Sequence, residues 1–255
     1  MFNKRHIVRT IAATVSILAL SFTAACGSGQ STASNSTDSD DITQQTYKPG
    51  KLTIATGQPA YEPWVMNDKP ESGEGYEAAV AYAVADKLGF KKSDVVWTRT
   101  AFDTAIAPGA KDWDFNIQQF GITDERKKAV DFSSSYYNDS QSVVVKKDSK
   151  FANATKVSDL KDATVGVMVG TLAYDYAKAN IKDDIQTFND DAALAQALDA
   201  GQIDALVTST VECVYMVQSE QVKDAKVLGR LPDSEDKSGM GIVLPKDSKL
   251  TAAVT

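Results

Sequence analysis

Hydrophobic and polar positions change period several times along this 255-residue chain, and those changes lay out its elements. KLTIATG (51–57) alternates as a strand does and runs into QPAYEPWVMND, a loop held by two prolines that carries Tyr61 and Trp64. After Gly75, YEAAVAYAVADKLGF repeats its apolar residues at helical spacing until Gly89 ends it. DVVWTRT reads as the next strand, Asp103 as the cap of a short helix DTAIAP, and WDFNIQQ as a third strand. Strand and helix in alternation predict a parallel α/β sheet.

A second series begins at ATVGVMVG (163–170), a strand with a glycine turn, followed by the helix TLAYDYAKAN, the short strand IQTF, the helix DDAALAQALDA ended by Gly201, and the strand IDALVT. DTAIAPGAKDWDFNI and AALAQALDAGQIDALV each read as helix, glycine turn, aspartate and apolar strand, so two similar α/β lobes are expected. FSSSYYNDSQSVVVKKDSK and SGMGIVLPKD are extended segments rich in β-branched residues. Taken as crossings, they place 51–142 plus 240–255 in the first lobe and 143–239 in the second. Two crossings make a hinge.

The first 25 residues differ: Lys4, Arg5 and Arg9 precede the apolar run IAATVSILALSFTAA, an export signal. TAAC (23–26) resembles a bacterial lipobox that would leave Cys26 lipidated, although Thr23 stands where leucine is usual. Cleavage without lipid and an uncleaved anchor are the alternatives, the run being shorter than the ~20 residues that span a bilayer. Residues 26–50 hold few large apolar groups and are expected to be a flexible tether, about 25–30 Å end to end.

At 43% hydrophobic and 24% charged over its 255 residues, the whole chain is globular in composition and long enough for one large or two medium domains. Without the three signal cations, 24 Lys and Arg face 34 Asp and Glu, a net charge of −10 that argues against a nucleic-acid partner. The one histidine, His6, lies in the signal, and Cys213 is the one thiol besides Cys26. No His general base, His-type metal site, Cys–His pair or cofactor is expected, and Cys213 is expected to be a small buried apolar residue.

In such sheets, ligands sit beyond the carboxyl ends of the strands. QPAYEPW, QQFGITDER, VGTL and TSTVE follow the predicted strands. In QQFGITDERKKAVDFSSSYY, Arg126 falls in the first turn of an expected helix, where acids are electrostatically preferred. An arginine beside free helix-start N–H groups is an anion trap whose planar fork matches a carboxylate; the alternative is a solvated arginine paired with Asp124 or Glu125.

The order TGxPAYEPW, FD, QQFGITDERKKAVDFSSSYY, DATVGVMVGT, GMGIVLPKDS resembles the extracellular solute-binding proteins of polar amino-acid ABC importers, over roughly residues 51–254. The resemblance implies a two-lobed periplasmic-binding-protein-like fold, each lobe a mostly parallel sheet flanked by helices. It implies that Arg126 holds a ligand α-carboxylate, that the N–H groups of Thr171 and Leu172 share it, and that Tyr61, Trp64 and Phe102 sandwich the side chain. Core packing is the alternative for Trp64 and Phe102.

Three departures stand out. Gln118, Gln119, Phe120 and Gly121 occupy a stretch where the family often has a hydroxyl, so Gly121 offers backbone only. Ser209 stands where the family places the aspartate for the ligand ammonium. Glu212 is the nearest acid to take its place, but STVE also reads as a capping box with Ser209 as cap and Glu212 reaching back; Gln58 or Glu62 in the first loop are the other candidates for the ammonium. The family's last helix is longer than LTAAVT, implying a fragment or a less covered lobe.

The implied function is capture of an amino acid or similar small carboxylate-bearing solute by lobe closure, and delivery to a membrane permease by a monomer tethered outside the cell membrane. A dehydratase-like enzyme on the same scaffold and a sensory or adhesive ectodomain are the alternatives.

Overall fold

The computed structural model describes residues 41–255. The signal sequence, Cys26 and most of the expected tether lie outside the described residues. β1 (Leu52–Thr56), α1 (Tyr76–Lys87), β2 (Val95–Arg99), α2 (Phe102–Ile106), β3 (Phe115–Asn116) and β4 (Val130–Tyr137) come first. They are followed by β5 (Gln141–Lys146), β6 (Val165–Met168), α3 (Leu172–Asn180), β7 (Gln186–Phe188), α4 (Asp191–Asp199), β8 (Ala205–Ser209), α5 (Thr210–Gln218) and β9 (Ala225–Arg230). β10 (Met240–Pro245) and α6 (Thr251–Val254) come last.

Two five-stranded sheets result, ordered β2-β1-β3-β10-β4 and β7-β6-β8-β5-β9. In each, three neighbouring strands are parallel and the other two pairings are antiparallel. The lobes are therefore mixed sheets, and the antiparallel member has a definite origin. β5 reaches the second sheet from β4 of the first, and β10 returns to the first sheet from β9 of the second.

Each sheet is covered on both faces, which is why β1 is buried along its whole length and reads as a nearly continuous apolar run. Leu52 and Ile54 pack with Ala81 and Ala85 of α1 and with Leu250 and Val254, whereas Ala55 packs with Phe120 and Val243 on the opposite face. In the second sheet, Val165 and Val207 meet Ala173 and Ala177 of α3, while Val144 and Leu206 meet Leu194 and Leu198 of α4 and Cys213 of α5. Cys213 is a buried apolar residue whose thiol is pushed well up by burial.

The first crossing is shorter than expected. Gln141 and Ser142 already pair with Ser209 and Thr208, so they belong to the second sheet and the chain changes lobes over 138–140. The return runs over 231–239 and is tied to the first crossing by Asp236 N, which donates to Asp139 O at 2.9 Å.

The end of the expected tether is not free. Ile42 packs on the first lobe's core and Thr46 is buried. Asp114 explains the docking: its Oδ1 accepts from Tyr47 N and its Oδ2 from Thr53 N, both at 2.6 Å, joining the segment to β1. Asp103 also departs from expectation, lying inside α2 without capping it.

Candidate functional site

Arg126 opens a three-residue 3-10 turn, Arg126–Lys128, rather than a helix, so the expected row of free helix-start N–H groups is replaced by another arrangement. Its backbone N donates to Thr123 Oγ1 at 3.1 Å, turning the side chain back across the cleft. Nη1 donates to Gly121 O at 2.7 Å, and Nη2 reaches Gly170 O, just beyond β6 in the other lobe, at 2.8 Å. The guanidinium carbon lies 5.5 Å from the centre of the Phe102 ring. Among the described residues no carboxylate lies within 4.0 Å of it. Burial lowers its pKa, while Asp175 and Asp236 at longer range raise it. A guanidinium has five N–H donors, so three remain for an anion.

This arginine borders a cavity of about 70 Å³ between the sheets. Tyr61, Phe102, Gln119, Gly121, Thr171, Leu172 and Ser209 line it too. Phe102 also stacks on Phe120 at 4.6 Å, so it serves core and cavity together. Thr171 caps α3 by accepting from Tyr174 N at 3.2 Å, leaving the first amides of that helix beyond any intrahelical bond.

Three expected residues are elsewhere. Trp64 is 1% exposed and sits edge-on against Tyr76 and Tyr137, with ring centres at 6.0 and 5.3 Å. The indole therefore belongs to the first lobe's core, and the backbone beside it is held close to the start of α1: Gly75 has φ 102°, and a Cβ there would come 2.4 Å from the backbone O of Trp64. Gln58 is exposed and outside the cavity lining. Glu62 is turned away as well: it accepts from Asn67 N at 2.7 Å and from the hydroxyl of Tyr215 in the other lobe.

Ser209 is the cap of α5, accepting from Glu212 N at 3.2 Å. Acids replace it around the cavity. Asp139, Asp191, Glu212 and Asp236 all line the space, and burial raises the pKa of the first three, Asp191 well above the usual carboxylate range with Glu212 adding to it. Behind Gln119, the fully buried Glu77 accepts from Gln119 N at 2.7 Å and from the Gln119 amide and Tyr136 hydroxyl; burial pushes it up to about 7. Of these, only Glu212 had a sequence signal, through the capping pattern. The others lie far apart in sequence and meet only because strand ends converge.

The lobes touch around the cavity. Ala192 N donates to Tyr61 Oη at 3.3 Å, and a Cβ on Gly121 would lie 2.5 Å from Leu172 Cδ1. A more open groove of about 700 Å³ lies beside the crossings and shares Asp139 and Asp236. Its arginine, Arg230, is paired with Glu235 at 3.4 Å, whereas the guanidinium bordering the smaller space has no carboxylate within 4.0 Å among the described residues.

The described residues contain no helix long and apolar enough to cross a membrane. The profile of the bacterial extracellular solute-binding proteins, family 3, matches residues 52–209. The L-arginine-binding protein of Pseudomonas aeruginosa is 28% identical over 219 residues, covering 80% of this chain and 78% of that protein. The glutamine-binding protein of Geobacillus stearothermophilus is 32% identical over 225 residues, covering 80% and 82%. The arginine-, lysine-, histidine-binding protein ArtJ of Geobacillus stearothermophilus shares the fold with a TM-score of 0.68 at 27% identity, covering 80% of this chain and 86% of that one. With two lobes, a half-buried arginine between them that has no carboxylate within 4.0 Å among the described residues, and a family match over most of the folded part, the chain belongs to the bacterial extracellular solute-binding proteins of family 3.

Proposed function

We propose that this protein captures an amino acid outside the cell membrane by closing its lobes over it, and hands it to an ABC permease. One observation carries the reading: Arg126 borders the cavity with donors to spare and, among the described residues, no carboxylate within 4.0 Å. A ligand carboxylate supplies that charge. The amides at the start of α3, on the other lobe, join it only when the lobes meet, so closure is favoured by contacts that the open state lacks. Relatives with arginine, glutamine, lysine and histidine in their names agree with an amino-acid ligand.

The protein acts as a monomer, with lipid on Cys26 as its anchor and the segment before residue 41 as its tether. Nucleic acid is no partner, and no cofactor is required for binding. The runner-up is an enzyme on this scaffold, favoured by the raised carboxyl groups of Asp191 and Glu212 in the cavity wall. Recovery of the bound amino acid unaltered after incubation separates the two.

The test is a thermal-shift screen over the twenty standard L-amino acids. A ligand at one hundred times its Kd adds about 2.7 kcal/mol to stability, or roughly 5–10 °C for a chain of this size. No shift with any of them overturns the reading.

A further inference from the structure

The second lobe's side of the cavity holds two carboxyl groups whose charge nothing nearby offsets. Asp191, first residue of α4, and Glu212, in the first turn of α5, are each 6% exposed and line the cavity. Thr208 Oγ1 sits between them, 2.7 Å from Glu212 Oε2 and 3.4 Å from Asp191 Oδ1. One hydroxyl has one proton to give, and the short contact takes it. Among the described residues, Asp191 therefore lacks a full-strength hydrogen bond, and neither acid has a lysine or arginine within 4.0 Å.

Capping does not account for Asp191. Asp190 already caps α4, accepting from Ala193 N at 2.8 Å. The other titratable groups facing the pair are Asp190 and Tyr61 beside Asp191, and Asp139, Glu77 and Cys213 beside Glu212. All are neutral or negative. A buried, nine-tenths-enclosed carboxyl aimed into a cavity without a cation is costly unless a cation arrives from outside.

We propose that Asp191 and Glu212, with Thr208 between them, hold the α-ammonium group of the bound amino acid. This rests on the amino-acid reading above and assigns the end of the ligand that Arg126 leaves free. Topology supports the pairing. Val167 of β6 lies beside Val207 of the parallel β8, so Gly170, which Arg126 touches just past β6, and Thr208, the penultimate residue of β8, lie near neighbouring strand ends. Adjacent strands lie about 4.8 Å apart, a separation suited to the two charged ends of one α-amino acid. The arriving ammonium displaces whatever proton the crowded carboxyl pair retains, and that proton leaves to solvent.

The experiment uses whichever standard L-amino acid raises the melting temperature most, together with its 2-desamino analogue, in calorimetric titrations of the wild type, Asp191→Asn and Glu212→Gln. Each variant is expected to bind the amino acid at least tenfold more weakly while melting no lower than the wild type without ligand. The analogue is expected to bind the wild type at least tenfold more weakly, with little further loss in the variants. The wild type alone provides a check that needs no folded variant: titrations in buffers of different ionisation enthalpy should reveal proton release with the amino acid and none with the analogue. Equal affinity for amino acid and analogue, or full affinity in both variants, overturns the assignment while leaving the amino-acid reading standing. No melting shift with any amino acid overturns both.

Discussion

Arg126 in the first lobe donates through Nη2 to the carbonyl oxygen of Gly170 in the second, at 2.8 Å. The arginine proposed to hold the ligand thus already bridges the cleft. A hydrogen bond from a charged donor contributes about 1.5–3 kcal/mol. Removing it in Arg126→Gln should therefore shift the closed-to-open ratio of the unliganded protein roughly 10- to 100-fold toward open. Small-angle scattering should show a larger radius of gyration for the variant than for the wild type. Equal radii would mean that this bond does not govern closure.

Gly121 is a contact point rather than a hinge. A Cβ on it would meet Leu172 Cδ1 at 2.5 Å and Asp236 Oδ2 at 2.9 Å, so a branched side chain there keeps the lobes apart. Gly121→Val should weaken ligand binding about tenfold or more, about 1.4 kcal/mol or above. Its melting temperature without ligand should change far less, because the clash disappears when the lobes part. A large fall in unliganded melting temperature would place the strain within one lobe instead.

The hydroxyl of Tyr215 joins Glu62 across the cleft, outside the cavity lining. Tyr215→Phe removes that bond and leaves every cavity wall in place. A loss of about 0.5–1.5 kcal/mol of closed-state stability is expected, and the ligand's dissociation rate should rise roughly 2- to 10-fold with little change in association. Stopped-flow measurements would show this directly.

Glu77 sets the sign of one pH dependence. Burial pushes its carboxyl from 4.5 up to about 7, so between these values the folded state holds a proton that the unfolded chain has lost. Stability therefore falls as pH rises through that window, by about 3 kcal/mol at most for this group. In Glu77→Gln, the melting temperature should fall less steeply than the wild type's between pH 4.5 and 7.5. An unchanged slope would mean that other buried acids carry it.

Much of this architecture is legible in the residues. The helical spacing of YEAAVAYAVADK and the apolar runs around Ile54, Val167 and Val207 mark elements whose faces are covered, and the folded chain uses them so. β9 has no clear sequence signal because AKVLGR is half polar, and β3 is only Phe115–Asn116, although Asp114 N to Thr53 O and Ile117 N to Ala55 O continue its bonding to β1 on either side. Within the site, Arg126 is readable because its surrounding motif is specific. Tyr61 and Trp64 are three residues apart in an irregular loop with no period to assign their faces, and packing sends one to the cavity and the other to the core. Thr208 and Glu212 are close because they are four residues apart, whereas Asp191 joins them only through the folded arrangement of α4 beside β8, which no local pattern reports. The docking of residues 42–50 likewise depends on one distant carboxylate, Asp114.

The most direct measurement is calorimetric titration of the best-binding amino acid into wild type and Arg126→Ala. For a ligand bound at micromolar concentration, roughly −8 kcal/mol, loss of the charge-paired arginine should cost about 2–5 kcal/mol, a weakening of about 30-fold or more. Affinity within a factor of two of the wild type would contradict the account, since the ligand's carboxylate would then be held elsewhere.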